Sequence, residues 1–124
     1  MNLVDSSAWL EYFADGPNAA FFAPAIEKTS DLIVPTIVVF EIYKRIRQQR
    51  NQHAAIEAIA TLRAGRIVDL TLALAIQAAA IGHSEKLPMA DSIILATARA
   101  ENATVWTQDG DFERISGVKF RAKR

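Results

Sequence analysis

The chain has 124 residues, 51% of them hydrophobic, and a formal net charge of zero, which predicts a single domain over residues 1–124 with its own core. It has no cysteine and only two histidines, His53 and His83, which excludes disulfides and thiolate metal sites and leaves mainly oxygen ligands for ions such as magnesium, manganese or calcium. No apolar run approaches the roughly 20 residues of a membrane helix and no basic leader opens the chain, so a cytoplasmic protein without membrane association is expected.

The first half of the chain alternates short apolar runs with longer helical patterns. Ser6 and Ser7 are positioned to cap the first predicted helix, and Thr36 is positioned to cap the third. The third helix is apolar at its start and basic at its end, which suits the helix dipole. In chain order the predicted elements are a strand at 3–4, helices at 8–13 and 18–28, a strand at 32–34, and helices at 37–50 and 52–64.

The second half of the chain continues this alternation. Pro88 lies where proline is well tolerated, at the first turn of a helix, and residues 104–107 combine β-branched and aromatic side chains, as strands do. The predicted elements are a strand at 66–68, helices at 72–86 and 88–101, a strand at 104–107, a turn at 108–111 and an edge strand at 118–120. Short strands alternating with helices favour an α/β fold with a mainly parallel sheet.

Two acids, Asp5 and Asp109, follow predicted strands, and binding sites in open α/β sheets form beyond the carboxyl ends of strands. Each acid also has a purely structural interpretation. Asp5 fits a turn or a helix cap, and Asp109 fits the cap of a helix that starts near Asp111. Position alone leaves both interpretations open.

Asp91 and Glu41 lie in predicted helices among apolar residues. The residues three, four and seven positions after Asp91 are all apolar, so Asp91 faces inward, where an ionised carboxylate needs a cation, a hydrogen-bonding partner or a shifted pKa. The structural alternative is a favourable interaction with the helix dipole. For Glu41 the alternative is a local ion pair with Lys44 or Arg45.

Several acids that converge on one point repel one another, and a divalent cation relieves that repulsion. One or two magnesium or manganese ions held by Asp5, Asp91 and Asp109 would activate water and stabilise charge on a phosphodiester, with one carboxylate free to orient or deprotonate the water. Bases in the helix that carries Glu41 are expected to hold flanking phosphates. These bases are Lys44, Arg45 and Arg47.

The charges are unevenly distributed along the chain. Residues 1–43 hold six acids and one base, residues 44–66 hold six bases and one acid, and the last eleven residues hold five bases and no acid. Strong local fields of this kind are compatible with a polyanionic partner such as nucleic acid, although charge runs are usually solvated faces.

Four segments in order resemble the motifs of PIN-domain ribonucleases. They are residues 4–7, 39–42, 89–98 and 105–112, and the resemblance covers essentially the whole chain. It implies a PIN-like α/β/α sandwich with a short-stranded, mainly parallel central sheet, and magnesium- or manganese-dependent cleavage of RNA. Since small single-domain members are typically VapC-type toxins of type II toxin–antitoxin pairs, it also implies a homodimer and inhibition by a cognate antitoxin protein.

The resemblance implies roles for individual residues as well. The acids that match the family's acidic positions are Asp5, Glu41, Asp91 and Asp109. The hydroxyl residues Ser7 and Thr107 match those that support the first and the last acid. Asp109 fits the Thr-x-Asp pattern best, while Asp111, two residues further on, is an accessory candidate or a helix cap.

Alternative functions are weighed on the same residues. A non-catalytic RNA- or partner-binding module that retains the fold would be favoured by loss of one acid, and all four are present. A receiver domain needs paired acids after the first strand, and a phosphatase of the haloacid dehalogenase type needs Asp-x-Asp, where Ser7 occupies the second position. The aromatic residues Trp9, Tyr12 and Phe13 are expected either in an antitoxin contact surface or in the core.

Overall fold

The computed structural model describes residues 1–124 as five β-strands and six α-helices. The strands are β1 (Asn2–Val4), β2 (Leu32–Pro35), β3 (Arg66–Val68), β4 (Thr104–Thr107) and β5 (Lys119–Phe120). The helices are α1 (Ser6–Phe13), α2 (Ala19–Glu27), α3 (Thr36–Gln49), α4 (Gln52–Leu62), α5 (Leu72–Glu85) and α6 (Met89–Ala100), with short 3₁₀ turns at Thr29–Asp31 and Gly110–Phe112. The predicted alternation of strands and helices is confirmed.

The five strands form one parallel sheet in the order β3-β2-β1-β4-β5. The connections from β1 to β3 run in one direction across the sheet, and the connection from β3 to β4 runs back. Right-handed crossovers therefore place α1 to α4 on one face and α5 and α6 on the other. Because the strands are parallel, the residues that follow β1, β2 and β4 all lie at the same edge of the sheet.

The hydrophobic core fills the space between the sheet and the helices. Its largest fully buried side chains include Trp9, Phe22 and Phe112, and burying an aromatic ring of the Phe type contributes about 1.5–3 kcal/mol. Trp9 stacks on Phe13 with ring centroids 5.6 Å apart. Since Trp9 has no exposed surface, it belongs to the core and is not a partner contact, whereas Tyr12 and Phe13 are partly exposed.

The predicted helix caps at Ser6, Ser7 and Thr36 are wrong. Asp5 caps α1, because it is the first residue beyond β1 and has the extended backbone that the cap position requires (φ −79°, ψ 171°). Pro35 precedes α3 with a similar extended backbone and no capping side chain, so Thr36 becomes the first helical residue. Strand β1 ends at Val4, one residue before the cap Asp5, and β2 ends at Pro35, which is itself the cap position. Neither connection has a further residue between the strand and the helix that could act as the cap.

Helix α6 is buried along most of its length, at Asp91 to Ala98, because α5 packs closely against it. A Cβ on Gly82 of α5 would lie 2.5 Å from Ser92 Oγ, so only glycine permits this approach. The Ser92 hydroxyl donates to the carbonyl of Pro88 at 2.8 Å and fixes the start of α6. In the whole chain, no helix has both the length and the apolar composition needed to cross a membrane.

Candidate metal centre

The four predicted acids lie at the carboxyl edge of the sheet, on four different segments. Asp5 follows β1, and its backbone N–H donates to the carbonyl of Trp106 in β4 at 3.1 Å. Asp109 follows β4, Asp91 lies in the first turn of α6, and Glu41 lies in α3, which begins where β2 ends. Acids that lie 36 to 104 positions after Asp5 in the sequence are thus brought to the edge where the parallel strands end.

Asp5 is held by three donors in a buried position. Its carboxylate accepts from Ser7 Oγ and Thr107 Oγ1, both at 2.6 Å, and from the Ala8 backbone N–H at 3.2 Å. Burial raises the pKa of Asp5 to about 6, although the hydrogen bonds oppose this and the charge of Asp109 adds to it. The carboxylate therefore has a fixed orientation and an unfavourable environment for its own charge.

The hydroxyl groups of Ser7 and Thr107 join the two loops of the site. Thr107 Oγ1, which donates to Asp5, accepts from the Asp109 backbone N–H at 2.9 Å. Ser7 Oγ likewise donates to Asp5 and accepts from the Gln108 backbone N–H at 3.3 Å. The segment after β4 is thereby held against the segment after β1.

Asp91 has the most perturbed carboxyl group of the site. It is 8% exposed, and burial raises its pKa to about 8, with further upward contributions from the charge of Asp109, a side-chain hydrogen bond to Asp111 and the charge of Asp5. The inward orientation predicted from its helical spacing is confirmed. Neither lysine nor arginine compensates this group, since no ion pair in the protein involves it.

Asp91, Asp109 and Asp111 form a compact oxygen cluster. One carboxylate oxygen from each residue lies within 4.8 Å of the others. The short 3₁₀ turn brings Asp111 there, with its backbone N–H donating to Asp109 Oδ1 at 2.9 Å. Asp109 therefore caps the turn and also belongs to the cluster. Asp111 belongs to the cluster as well, so it is not only a helix-cap residue.

The donor set fits a hard divalent cation. All three clustered groups are carboxylates, no basic side chain neutralises them, and Asp5 contributes further negative charge close enough to affect the pKa of Asp91. Oxygen ligands without nitrogen or sulfur suit magnesium or manganese. The structure brings together the predicted metal ligands Asp91 and Asp109 and adds Asp111, while Asp5 lies beside this cluster.

Glu41 reaches the same site from α3. Its Oε1 accepts from Ser6 Oγ at 2.9 Å, and burial raises its pKa, with the charge of Asp109 acting in the same direction. The alternative of a local ion pair is not realised, because neither Lys44 nor Arg45 lies within ion-pair distance of Glu41. Ser6 is a site residue that sequence reasoning missed, since only the packing of α1 against α3 brings it to Glu41.

Two of the three predicted phosphate-binding bases lie beside Glu41. A cavity of about 400 Å³ is lined by Glu41, Lys44 and Arg45 together with Ser6 and uncharged residues. Both bases are exposed, and Lys44 Nζ lies 5.8 Å from the centroid of the Phe40 ring. Arg47 is exposed on the same helix but does not line this cavity.

A buried polar chain that the sequence did not reveal supports the loop after β4. Asn18 is 1% exposed, and its Nδ2 donates to Gln108 Oε1 at 3.0 Å and to the Ala122 carbonyl at 2.9 Å. Its partners are 90 and 104 residues away in sequence, so no local pattern could identify them. The residue before Asp109 is therefore fixed by a side chain from the start of α2.

Comparisons with known proteins agree with this architecture. The family model of the PIN domain matches residues 3–118. No curated protein sequence gives a significant match.

Solved structures with the same fold come from several bacteria. A toxin–antitoxin complex from Klebsiella pneumoniae contains a chain with 24% identity, a TM-score of 0.77 and coverage of 95% of both chains. VapC20 of Mycobacterium tuberculosis, described as a sarcin–ricin loop cleaving toxin, has 22% identity, a TM-score of 0.78 and coverage of 98% of this chain and 99% of its own. FitAcB of Neisseria gonorrhoeae has 23% identity, a TM-score of 0.74 and coverage of 98% and 97%. At these identities the likeness shows a common fold.

Proposed function

Because the chain belongs to the PIN-domain family, we propose that it is a metal-dependent endoribonuclease and the toxin component of a toxin–antitoxin pair. The observation that carries this proposal is the uncompensated acidic site at the carboxyl edge of the sheet. It combines an oxygen cluster of three aspartates with the neighbouring carboxylates of Asp5 and Glu41. A protein that binds no cation would gain nothing from bringing these mutually repelling carboxylates together, so the site indicates cation binding.

The proposed metal ligands are Asp5, Asp91 and Asp109, with Asp111 as an accessory ligand. The ion is magnesium or manganese, and when bound it supplies a Lewis acid that activates water and stabilises charge on the phosphodiester. Ser7 and Thr107 orient the Asp5 carboxylate through their hydrogen bonds. The hydroxyl of Thr107 also positions the Asp109 backbone, so that the two segments keep a constant separation.

Glu41 is proposed to orient the attacking water and accept its proton. Its raised pKa, caused first by burial, brings this carboxyl closer to neutral pH, which suits proton transfer. Lys44 and Arg45 line the cavity beside Glu41 and Arg47 lies nearby on α3, so these bases are placed to hold phosphates that flank the cleaved bond.

Cleavage of RNA tests the proposed activity directly. Purified protein is incubated with fluorescent single-stranded RNA in manganese, in magnesium or in EDTA, and the products are separated on a denaturing gel. We expect cleavage with either ion and none in EDTA. Binding of RNA that is independent of cations, without cleavage under any condition, would instead establish the non-catalytic binding module.

The substitution Asp91→Asn separates catalysis from folding. It removes a proposed metal ligand at nearly constant volume, so cleavage is expected to be abolished while the circular-dichroism spectrum stays nearly unchanged. Asp31→Asn is the matched control, because Asp31 lies just before β2, at the opposite edge of the sheet, and pairs only with Lys28. If Asp91→Asn unfolds the protein, its role is structural, and equal activity of both variants would contradict the proposal.

The toxin role predicts a cytoplasmic target and a protein inhibitor. The structure from Klebsiella pneumoniae is a toxin–antitoxin complex, which supports a cognate antitoxin as partner, and a homodimer is proposed on the family resemblance. Expression of the chain alone is expected to arrest bacterial growth, and co-expression of the small protein encoded beside it is expected to restore growth. Growth that is equal for wild type and Asp91→Asn would contradict toxicity by cleavage. Light scattering measures the proposed dimer mass.

A further inference from the structure

The last six residues of the chain, which begin with β5, run along a strip of aromatic and basic side chains. Arg121 lies over Phe21 with its guanidinium carbon 4.3 Å from the ring centroid, and Lys119 Nζ lies 5.0 Å from the centroid of Trp106. The two rings are themselves 5.4 Å apart. Lys123 and Arg124 follow and are exposed. We call these four bases and two rings the C-terminal strip.

The strip is fixed beside the acidic site. Phe120 pairs with Thr107, and the Arg121 backbone N–H donates to the Thr107 carbonyl at 3.0 Å, so residues 121 and 122 lie level with the segment that leads to Asp109. The Asn18 side chain donates both to the Ala122 carbonyl and to Gln108. The backbone at Arg121 and Ala122 therefore has a defined position beside the segment that leads from β4 to Asp109, and Lys119 has one beside Trp106.

The cations of the strip have no acidic partner. None of the four ion pairs in the protein involves Lys119, Arg121, Lys123 or Arg124, and neither Lys119 nor Arg121 donates a side-chain hydrogen bond. Stacking on a ring orders a guanidinium and leaves its N–H groups free in the plane. The side chain is thus partly ordered before any ligand binds, which lowers the entropy cost of binding. The free N–H groups of the guanidinium can then donate to an anion with several oxygens, such as a phosphate.

Two groups of bases flank the acidic site across the sheet. Lys44 and Arg45 lie on α3, which follows β2, and the strip lies along β5. In the strand order β3-β2-β1-β4-β5, the acids that follow β1 and β4 lie between them. A polyanion that spans both groups must pass over the acids, whose repulsion a bound divalent cation would remove.

We propose that the C-terminal strip binds the phosphates of single-stranded RNA on the β5 side of the site, while the α3 bases bind the other side. This inference rests on the proposed ribonuclease function and specifies how its substrate is held. Alternating basic and aromatic side chains suit single-stranded RNA. Its phosphates contact the basic side chains, and its unpaired nucleobases have exposed π-faces that stack on the aromatic rings.

Fluorescence anisotropy of a labelled, unstructured RNA tests the proposal with the full chain in EDTA, where no turnover occurs. Lys119→Gln/Arg121→Gln is expected to weaken binding about tenfold at low salt and to make the salt dependence shallower by about 1.4 in log–log slope, as for two lost phosphate contacts. The control is Arg66→Gln/Arg99→Gln, which removes the same charge at the amino edge of the sheet. It is expected to change affinity less than about twofold.

If both double variants lose the same RNA affinity, the effect comes from net charge alone and the proposal is overturned. It is also overturned if the test variant, Lys119→Gln/Arg121→Gln, binds RNA with unchanged affinity. Phe21→Leu is the second variant, which retains all charges and removes the ring below Arg121. It is expected to weaken binding about two- to fivefold, and no change would contradict an ordered strip. A polyglutamate peptide tests a protein-like ligand. If the peptide shows the loss and RNA does not, the strip binds acidic protein segments instead.

Cleavage in manganese separates this inference from the proposed function. If RNA is cut and the test variant raises KM with little change in kcat, both stand. If RNA is bound through the strip and never cut, the ribonuclease function fails while the strip stands. If RNA is cut and the test variant binds and cleaves like wild type, only the inference about the strip is overturned.

Discussion

A single buried hydroxyl, that of Thr107, holds two parts of the site together. It is fully buried, donates to Asp5 and accepts from the Asp109 backbone N–H. A hydroxyl has one donor and two acceptor lone pairs, so one group serves both loops. Valine has nearly the same shape and offers neither function. Partners that orient metal ligands commonly affect metal affinity as strongly as some ligands do.

Thr107→Val is therefore expected to weaken manganese binding about 10- to 100-fold, because Asp5 loses a donor and the Asp109 backbone loses its acceptor. Isothermal titration calorimetry measures the affinity. Thr107→Ser is the matched control, since it keeps the hydroxyl and removes only a methyl group. Equal affinities of the valine and serine variants would show that the hydrogen bonds do not position the metal ligands.

The residues of the site differ in how far the sequence could predict them. Asp91 was predicted from its apolar neighbours at helical spacing, and its burial is confirmed. Asp111 remained open between an accessory role and a cap, because one turn of 3₁₀ helix decides whether it faces the acids. Ser6 and Asn18 gave no signal, since their partners lie 35 or more residues away.

Among the elements, α6 depends most on its contact with another helix. Asp91 reaches the cluster from the first turn of α6, and Gly82 of α5 allows Ser92 to approach beside it. The approach sets the position of α6 relative to the sheet. The sequence predicted both helices, but the special role of this glycine follows only from their crossing.

Gly82→Ala is expected to lower the free energy of unfolding by about 1–3 kcal/mol, because the added methyl meets Ser92 Oγ at 2.5 Å. The better helix propensity of alanine offsets up to about 1 kcal/mol of this. Urea denaturation measures the change. Gly110→Ala is the control, since its Cβ would meet nothing within 4 Å. Removing the clashing oxygen in Gly82→Ala/Ser92→Ala should restore part of the lost stability, and no recovery would assign the loss to another contact.

For the whole molecule, a net charge of zero conceals a strong separation of charge. Acids collect at the carboxyl edge of the sheet, and unpaired bases lie on either side along α3 and β5. The folded protein without metal thus keeps two buried carboxyl groups, Asp5 and Asp91, whose ionisation opposes folding. Stability should consequently depend on pH and on divalent cations.

The sign of that dependence follows from the raised pKa values of about 6 for Asp5 and about 8 for Asp91, against 3.8 for an ordinary aspartate. Between pH 3.8 and about 8 these two groups bind more protons in the folded state than in the unfolded state, so their contribution to stability is largest at about pH 4 and below and is lost as the pH rises to about 8. Thermal unfolding in EDTA at pH 5, 6.5 and 8 should show a falling Tm.

Two controls make this prediction specific. Asp91→Asn should flatten the decline of Tm between pH 5 and 8, because the group with the largest shift no longer titrates. Manganese at pH 8 should raise the Tm of wild type by binding the folded state, and should raise that of Asp91→Asn less. A Tm in EDTA that rises steadily from pH 5 to 8 would contradict the buried, uncompensated acids.

The order of strands and helices, the parallel sheet and the candidate acids were determined by the sequence alone. Their signals are local: apolar runs, helical spacing, residues that follow strands and four motifs in order. Tertiary structure alone decided that Asp5 caps α1, that Glu41 accepts a hydrogen bond from Ser6 in place of pairing with a neighbouring base, and that Lys119 and Arg121 lie over aromatic rings. These contacts join residues distant in sequence, and the geometry of the folded sheet is what brings them within hydrogen-bonding or stacking distance.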